Sequence, residues 1–125
     1  MHQQIRTVPA KSTPDLQAFL AVLEKARVNI EAAGGGDVER GGEFAIAVAH
    51  EASNHAMTVL RKAGYKPRLV DVDRYALANS PGQLLASVAE VAAKNAKSGL
   101  VIRDVSIGVP DDEGRIQVQI YSEAP

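Results

Sequence analysis

Four groups of residues in this chain have types that invite a chemical reading. His50-Glu51-Ala52-Ser53-Asn54-His55 looks like a zinc-protease helix, but its histidines stand five positions apart instead of four. They would not share a helical face, and the run straddles a predicted strand-to-helix turn. Gly34-Gly35-Gly36 lacks the Gly-Lys-Ser/Thr and the following helix that a phosphate loop requires. Asp111-Asp112-Glu113-Gly114 is acidic, yet it lacks the twelve-residue ligand spacing of a calcium loop and is read as a solvated turn. Ser12, Ser53, Ser80 and Ser106 sit in no nucleophile elbow. The sequence therefore presents no catalytic set, no metal ligands and no cofactor motif, and the chain is expected not to be an enzyme.

One turn stands apart. Asn79-Ser80-Pro81-Gly82-Gln83-Leu84 opens a predicted helix, and a helix start offers unpaired N–H donors and a partial positive charge. Gly82 has no Cβ, so a ligand can approach the main chain closely there. Asn79 and Gln83 are placed to orient a carboxylate or an amino group. The same residues also form an ordinary helix cap, and both readings stay open.

The elements that must hold this turn follow from the apolar pattern. Residues 3–9 form a weak strand. Thr13 caps a helix with Pro14 at its first position, where a missing N–H costs nothing. Leu16, Phe19, Leu20, Leu23 and Ala26 give that helix one apolar stripe. Val28, Ile30 and Ala32 alternate as a strand, and the glycines of 34–36 and 41–42 bracket a mobile hairpin loop. Phe44, Ile46 and Val48 make the next strand. Ser53 or Asn54 caps a helix through Met57, Leu60 and Ala63, which Gly64 stops. Val70 and Val72 then lie in even phase while Tyr75 and Leu77 are odd. That parity change predicts a bulge or break near residues 73–74, with one strand ending and another beginning. The helix opened by the Asn79–Leu84 turn, with Leu84, Val88, Val91 and Ala92 on its face, runs to Ser98, where Gly99 stops it. Strands through Val105–Val109 and Ile116–Ile120 follow, joined by the acidic turn.

This order predicts an α+β fold: a ferredoxin-like βαββαβ unit over residues 1–72, then a partial βαββ unit over residues 73–125. Each has an antiparallel sheet with its helices on one face. The second unit has two elements fewer, so one of its sheet edges is expected to be open, to be covered by the first unit or to be paired by another chain.

Composition narrows the partners. The 125 residues carry 14 Lys and Arg against 15 Asp and Glu, with no basic run, no Trp, two Phe and three Tyr. Neither an electrostatic footprint nor a base-stacking platform for nucleic acid is present. There is no cysteine, which excludes disulfides and thiolate chemistry. No apolar stretch approaches a membrane span, and the first residues do not read as a signal peptide. The expectation is a soluble cytoplasmic protein.

Taken in order, these segments resemble the ACT domain family in tandem. The family pattern is a strand, Pro-Gly-x-Leu opening a helix, then a Gly-apolar-Asn-Ile strand. Pro81-Gly82-Gln83-Leu84 matches the helix opening, while Thr13-Pro14-Asp15-Leu16 holds the same register without the Pro-Gly pair. Val28-Asn29-Ile30 matches the strand entry, with Arg27 where glycine is usual. Gly99-Leu100-Val101-Ile102 keeps the glycine and loses the Asn. The likeness covers nearly the whole chain, though no single motif in it is specific.

The resemblance implies regulatory binding of a small metabolite, usually an amino acid, beside the loop from first strand to first helix and at interfaces between units. It marks Asn79, Ser80, Pro81, Gly82, Gln83 and Leu84, with Asn29 and Ile30, as ligand-binding residues. Asp15 would repel a carboxylate at the first turn, which is read as altered or silent. The open edge points to a homodimer or larger assembly. The alternative is a ligand-free oligomerisation or interaction module that pairs with a partner enzyme.

Overall fold

The computed structural model describes residues 2–9, 13–37 and 41–125. Six strands and three helices alternate in an antiparallel α+β fold: β1 (His2–Thr7), α1 (Thr13–Lys25), β2 (Ile30–Gly35), β3 (Phe44–Val48), α2 (Ser53–Lys62), β4 (Arg68–Ala78), α3 (Gln83–Ser98), β5 (Val101–Pro110) and β6 (Arg115–Glu123). The chain divides into two compact units, Gln3–Val70 and Asp71–Pro125, with His2 counted in the latter.

In the first unit the strands run in the order β2-β3-β1-β4, the ferredoxin-like arrangement in which β3 lies between the strands that α1 connects. Ile5 lies opposite Ile46 in the β1–β3 register. Both join Phe19 and Leu23 of α1 and Ala56, Met57 and Leu60 of α2 in one core. Both helices therefore cover the same sheet face. Phe19 is fully buried, with its ring edge-on to Phe44 and Tyr65 at centroid distances of 6.0 and 5.1 Å. Elsewhere in this unit Arg6 is buried, donating to Glu43 at 2.7 Å and to Gln4 at 3.1 Å, and Arg68 reaches the same carboxylate at 3.0 Å.

The second unit runs β4-β6-β5 under one helix. Its core is correspondingly small: Val91 of α3 on Val118 and Ile120, ringed by half-buried Tyr75, Leu77, Val88, Ile102 and Ile116. Gly99, at φ 74°, ends α3 by returning its N–H to the Asn95 carbonyl.

Several sequence expectations are corrected. Strand β4 is continuous from Arg68 to Ala78, so two predicted strands are one. The residue that meets the first core is Leu69, not Val70. Val72 is the buried residue of this strand, in even phase, whereas the second core takes Tyr75 and Leu77 in odd phase, so the inward-facing phase does change, but within an unbroken strand. Gly34 and Gly35 belong to β2, paired with Ala45 and Phe44, and the glycine hairpin is closely packed. A Cβ on Gly35 would lie 2.9 Å from the Glu43 carbonyl oxygen, and one on Gly42 would overlap the Gly36 carbonyl. Residues 38–40 of that hairpin, Ser12, and the side chains of Thr13, Pro14 and Asp15 lie outside the described residues. Neither Ser53 nor Asn54 caps α2, because a 3₁₀ turn over His50–Ala52 feeds straight into it and no side-chain cap bond forms. Arg68 pairs with Glu43 and Asp73 with Lys94.

Candidate functional site

Strand β4 delivers the chain to the Asn79–Leu84 turn in the second unit. Its last residue, Ala78, lies opposite Arg115 of β6. The Ser80 N–H returns to the Ala78 carbonyl at 2.9 Å, and Pro81 and Gly82 complete the turn. Gly82 is the residue before α3, with φ 85° and ψ −8°, a left-handed geometry that L side chains rarely adopt. Glycine is needed there for its backbone freedom, since a Cβ would meet nothing within 4 Å.

No side chain caps α3, so neither Asn79 nor Ser80 serves as the predicted cap. The first intrahelical bond runs from Ala86 N–H to the Gly82 carbonyl at 3.0 Å, and Gln83 N–H reaches Ser80 only at 3.5 Å. All six residues from Asn79 to Leu84 are exposed. The amino end of α3 is thus open to solvent, with backbone donors that no side chain satisfies.

Asn29 and Ile30 belong to the first unit. Asn29 is exposed between α1 and β2, whereas Ile30 pairs with Val48 and packs against the first core. Arg27, just before them, has φ 57°. Its N–H closes α1 on Glu24 at 2.9 Å, and Val28 N–H closes on Leu23 at 3.0 Å. This is the position where a left-handed residue ends a helix, which accounts for the glycine preference noted there.

The acidic turn, set aside as a calcium site, lies level with the Asn79 turn. Because Ala78 pairs with Arg115, residues 79–84 and 111–114 leave the sheet at the same end. Asp111 is occupied by the turn itself, accepting from Glu113 N–H at 2.9 Å and Arg115 N–H at 2.8 Å. The Arg115 N–H is the main cause holding its carboxyl below the usual carboxylate range. Glu113 pairs with Arg115 at 3.0 Å, and Asp112 is exposed. Composition alone marked this segment only as a turn; the strand register is what sets it beside α3.

The two histidines do not form a site. His50 lies in the 3₁₀ turn, and His55 Nε2 lies 3.3 Å from the Ala26 carbonyl. Among the described residues no group of three or more His, Asp or Glu stands ready to hold a metal, and no helix is long and apolar enough to cross a membrane.

No protein-family model matches this sequence, and no curated protein does. Solved structures do. A protein from Bacteroides thetaiotaomicron superposes with a TM-score of 0.72 at 18% identity, over 97% of this chain and 78% of that one. The regulatory subunit of aspartate kinase from Thermus flavus gives 0.59 at 23% identity, over 95% and 82%. The ligand-free Thermus thermophilus regulatory subunit gives 0.57 at 22%, over 95% and 82%. This chain folds like those regulatory subunits. At these identities the likeness is one of fold alone.

Proposed function

We propose that the chain is a non-catalytic regulatory protein built from tandem ACT-like blocks, residues 1–72 and 73–125, that binds an amino acid at the amino end of α3. The observation that carries this reading is the left-handed Gly82, which starts a helix in the open without a capping side chain. A carboxylate there would accept from the first N–H groups of α3 and meet the positive end of its dipole. The acidic turn that leaves the sheet at the same end suits an ammonium, so the two ends of an amino acid have separate acceptable neighbours. Asn79 and Gln83 would orient the ligand. In the first block, Asn29 and Ile30 are the candidate ligand-binding residues. The regulatory role named for the aspartate kinase subunits of like fold supports the same assignment, as does the ordered set of ACT-like motifs. Self-association is part of the proposal.

The test is calorimetry and thermal melting of the full chain against the common amino acids. At a hundredfold excess over its dissociation constant, a bound ligand stabilises the fold by about 2.7 kcal/mol. Gln83→Glu separates the site from the fold. A carboxylate in the first turn favours the helix by roughly 0.3–1 kcal/mol, yet it should repel the ligand's carboxylate and weaken binding at least tenfold. Gly82 is a poorer probe than its exposure suggests, because any L residue there costs about 1–2 kcal/mol in the left-handed region. Absence of any stabilisation, or Gln83→Glu binding as tightly as the parent, contradicts the reading and leaves the ligand-free module.

A further inference from the structure

We propose that Asn95 seats helix α3: its bond to Ser122 selects one rotation of the helix about its axis over a second that the helix's apolar flank would also satisfy. This selection involves no ligand. Its bearing on where the first N–H groups of α3 point rests on the binding reading above.

The side of α3 that faces the sheet is only weakly apolar. Its buried residues are Ser87, Val91 and Asn95, so Val91 is the one buried apolar side chain the helix supplies. Leu84 and Ala92, which the sequence placed on the inner face, are exposed. At 3.6 residues per turn, Leu85, Ala89, Ala92 and Ala96 form the next flank round from Val88. All four are exposed, and Leu85 is 74% exposed. A rotation of about 100°, one residue step, would set Leu85, Val88, Ala92 and Ala96 against the sheet in place of Ser87, Val91 and Asn95. Burial of apolar area is non-directional, so it gives the present seat no advantage.

Polar contacts do separate the two seats. Asn95 is 4% exposed, and its Nδ2 donates to Ser122 Oγ on β6 at 2.9 Å. Its backbone carbonyl accepts from Gly99 N–H at 2.8 Å and from Leu100 N–H at 3.2 Å. One residue therefore ties the end of α3 both to the sheet and to the turn into β5. Ser87 is different: its hydroxyl donates to the Leu84 carbonyl at 2.8 Å, a bond that travels with the helix and favours neither seat. On the flank away from Leu85, Lys94 pairs with Asp73 of β4, an exposed pair of small weight.

The same burial also works against the seat. Asn95 Oδ1 is buried and meets no donor among the described residues. An unsatisfied buried acceptor is disfavoured by its lost hydration. One half of the amide thus holds α3 down while the other half pulls it towards water. Buried polar groups of this kind fix register at the expense of stability. Here they leave the helix near balance between two rotations, with left-handed Gly82 at its pivot.

Thiol labelling of the full chain tests this, because the chain has no cysteine of its own. Ala92→Cys and Ala93→Cys, made singly, place a thiol on the flank that the second seat buries and on one that it leaves in water. Both positions are exposed in the present seat. Adding Ser122→Ala removes the acceptor that holds Asn95. It should slow maleimide labelling of Ala92→Cys at least tenfold, with Ala93→Cys at its former rate and circular dichroism unchanged. Asn95→Leu removes the orphaned acceptor and should keep the present seat, so Ala92→Cys labels at the parent rate and the urea midpoint rises. That second arm keeps the test valid if Ser122→Ala disturbs folding. Ala92→Cys labelling indifferent to Ser122→Ala, both thiols slowed alike, or a lower urea midpoint for Asn95→Leu would each overturn the proposal. If labelling behaves as expected while amino-acid affinity ignores Ser122→Ala, the seat stands and the binding site at the amino end of α3 falls.

Discussion

Single residues in this chain show their purpose through backbone geometry more than through side-chain chemistry. Arg27 occupies a left-handed position that glycine fills without strain. Arg27→Gly is therefore expected to stabilise the protein by about 1 kcal/mol, the size of the left-handed penalty for an L residue less the entropy glycine loses on folding. Urea denaturation would show it as a higher midpoint at unchanged slope. Asp111 gives a pH signature of opposite character. Its carboxyl titrates below the normal range because backbone N–H groups of Arg115 and Glu113 bond the charged form. A depressed carboxyl contributes stability that is fully present above its unfolded pKa of about 3.9 and is lost as pH falls through the lower folded value. Asp111→Ala should thus lower the melting temperature at neutral pH and flatten the acid limb of the melting curve below about pH 4. Part of this scale was legible in the sequence: the glycines at 64 and 99 read correctly as helix stops. The polar pair of Asn95 and Ser122, bonded at 2.9 Å under α3, was not, because an Asn inside an apolar stripe carries no signal of its partner 27 positions away.

At the scale of elements, the apolar stripes of α1 and α3 and the alternation of β3 and β6 led directly to the observed helices and strands. Where the reading failed, two residues competed for one role. Val72 is buried in the even phase that the pattern announced and Leu69 meets the first core from the odd phase, so one unbroken β4 uses both of its faces where a break was expected. Gly34 and Gly35 read as loop by propensity, yet both pair with β3, and at Gly35 close packing against Glu43 and Phe44 makes glycine necessary within the pairing. The candidate turn was legible as a helix start, but its lack of a side-chain cap and its acidic neighbour depended on strand register, which no local pattern encodes. The two units also differ in how much they bury. Phe19 meets both Phe44 and Tyr65 edge-on in the larger core. Phe19→Ala should cost about 3–5 kcal/mol by lost transfer energy and cavity formation, measured as a fall in the urea midpoint.

For the molecule as a whole, the reading joins two properties: no assembled catalytic set among the described residues, and an exposed helix start held open by a left-handed glycine. The central claim is that an amino acid's carboxylate sits on the first N–H groups of α3. Amide chemical shifts of the full chain, followed by NMR while a binding amino acid is titrated, test it most directly. The account expects the largest, saturable shifts at Gln83, Leu84 and Leu85, with smaller ones at Asp112 and Glu113. Saturable binding that leaves those amides unmoved, with the shifts elsewhere in the chain, would contradict it.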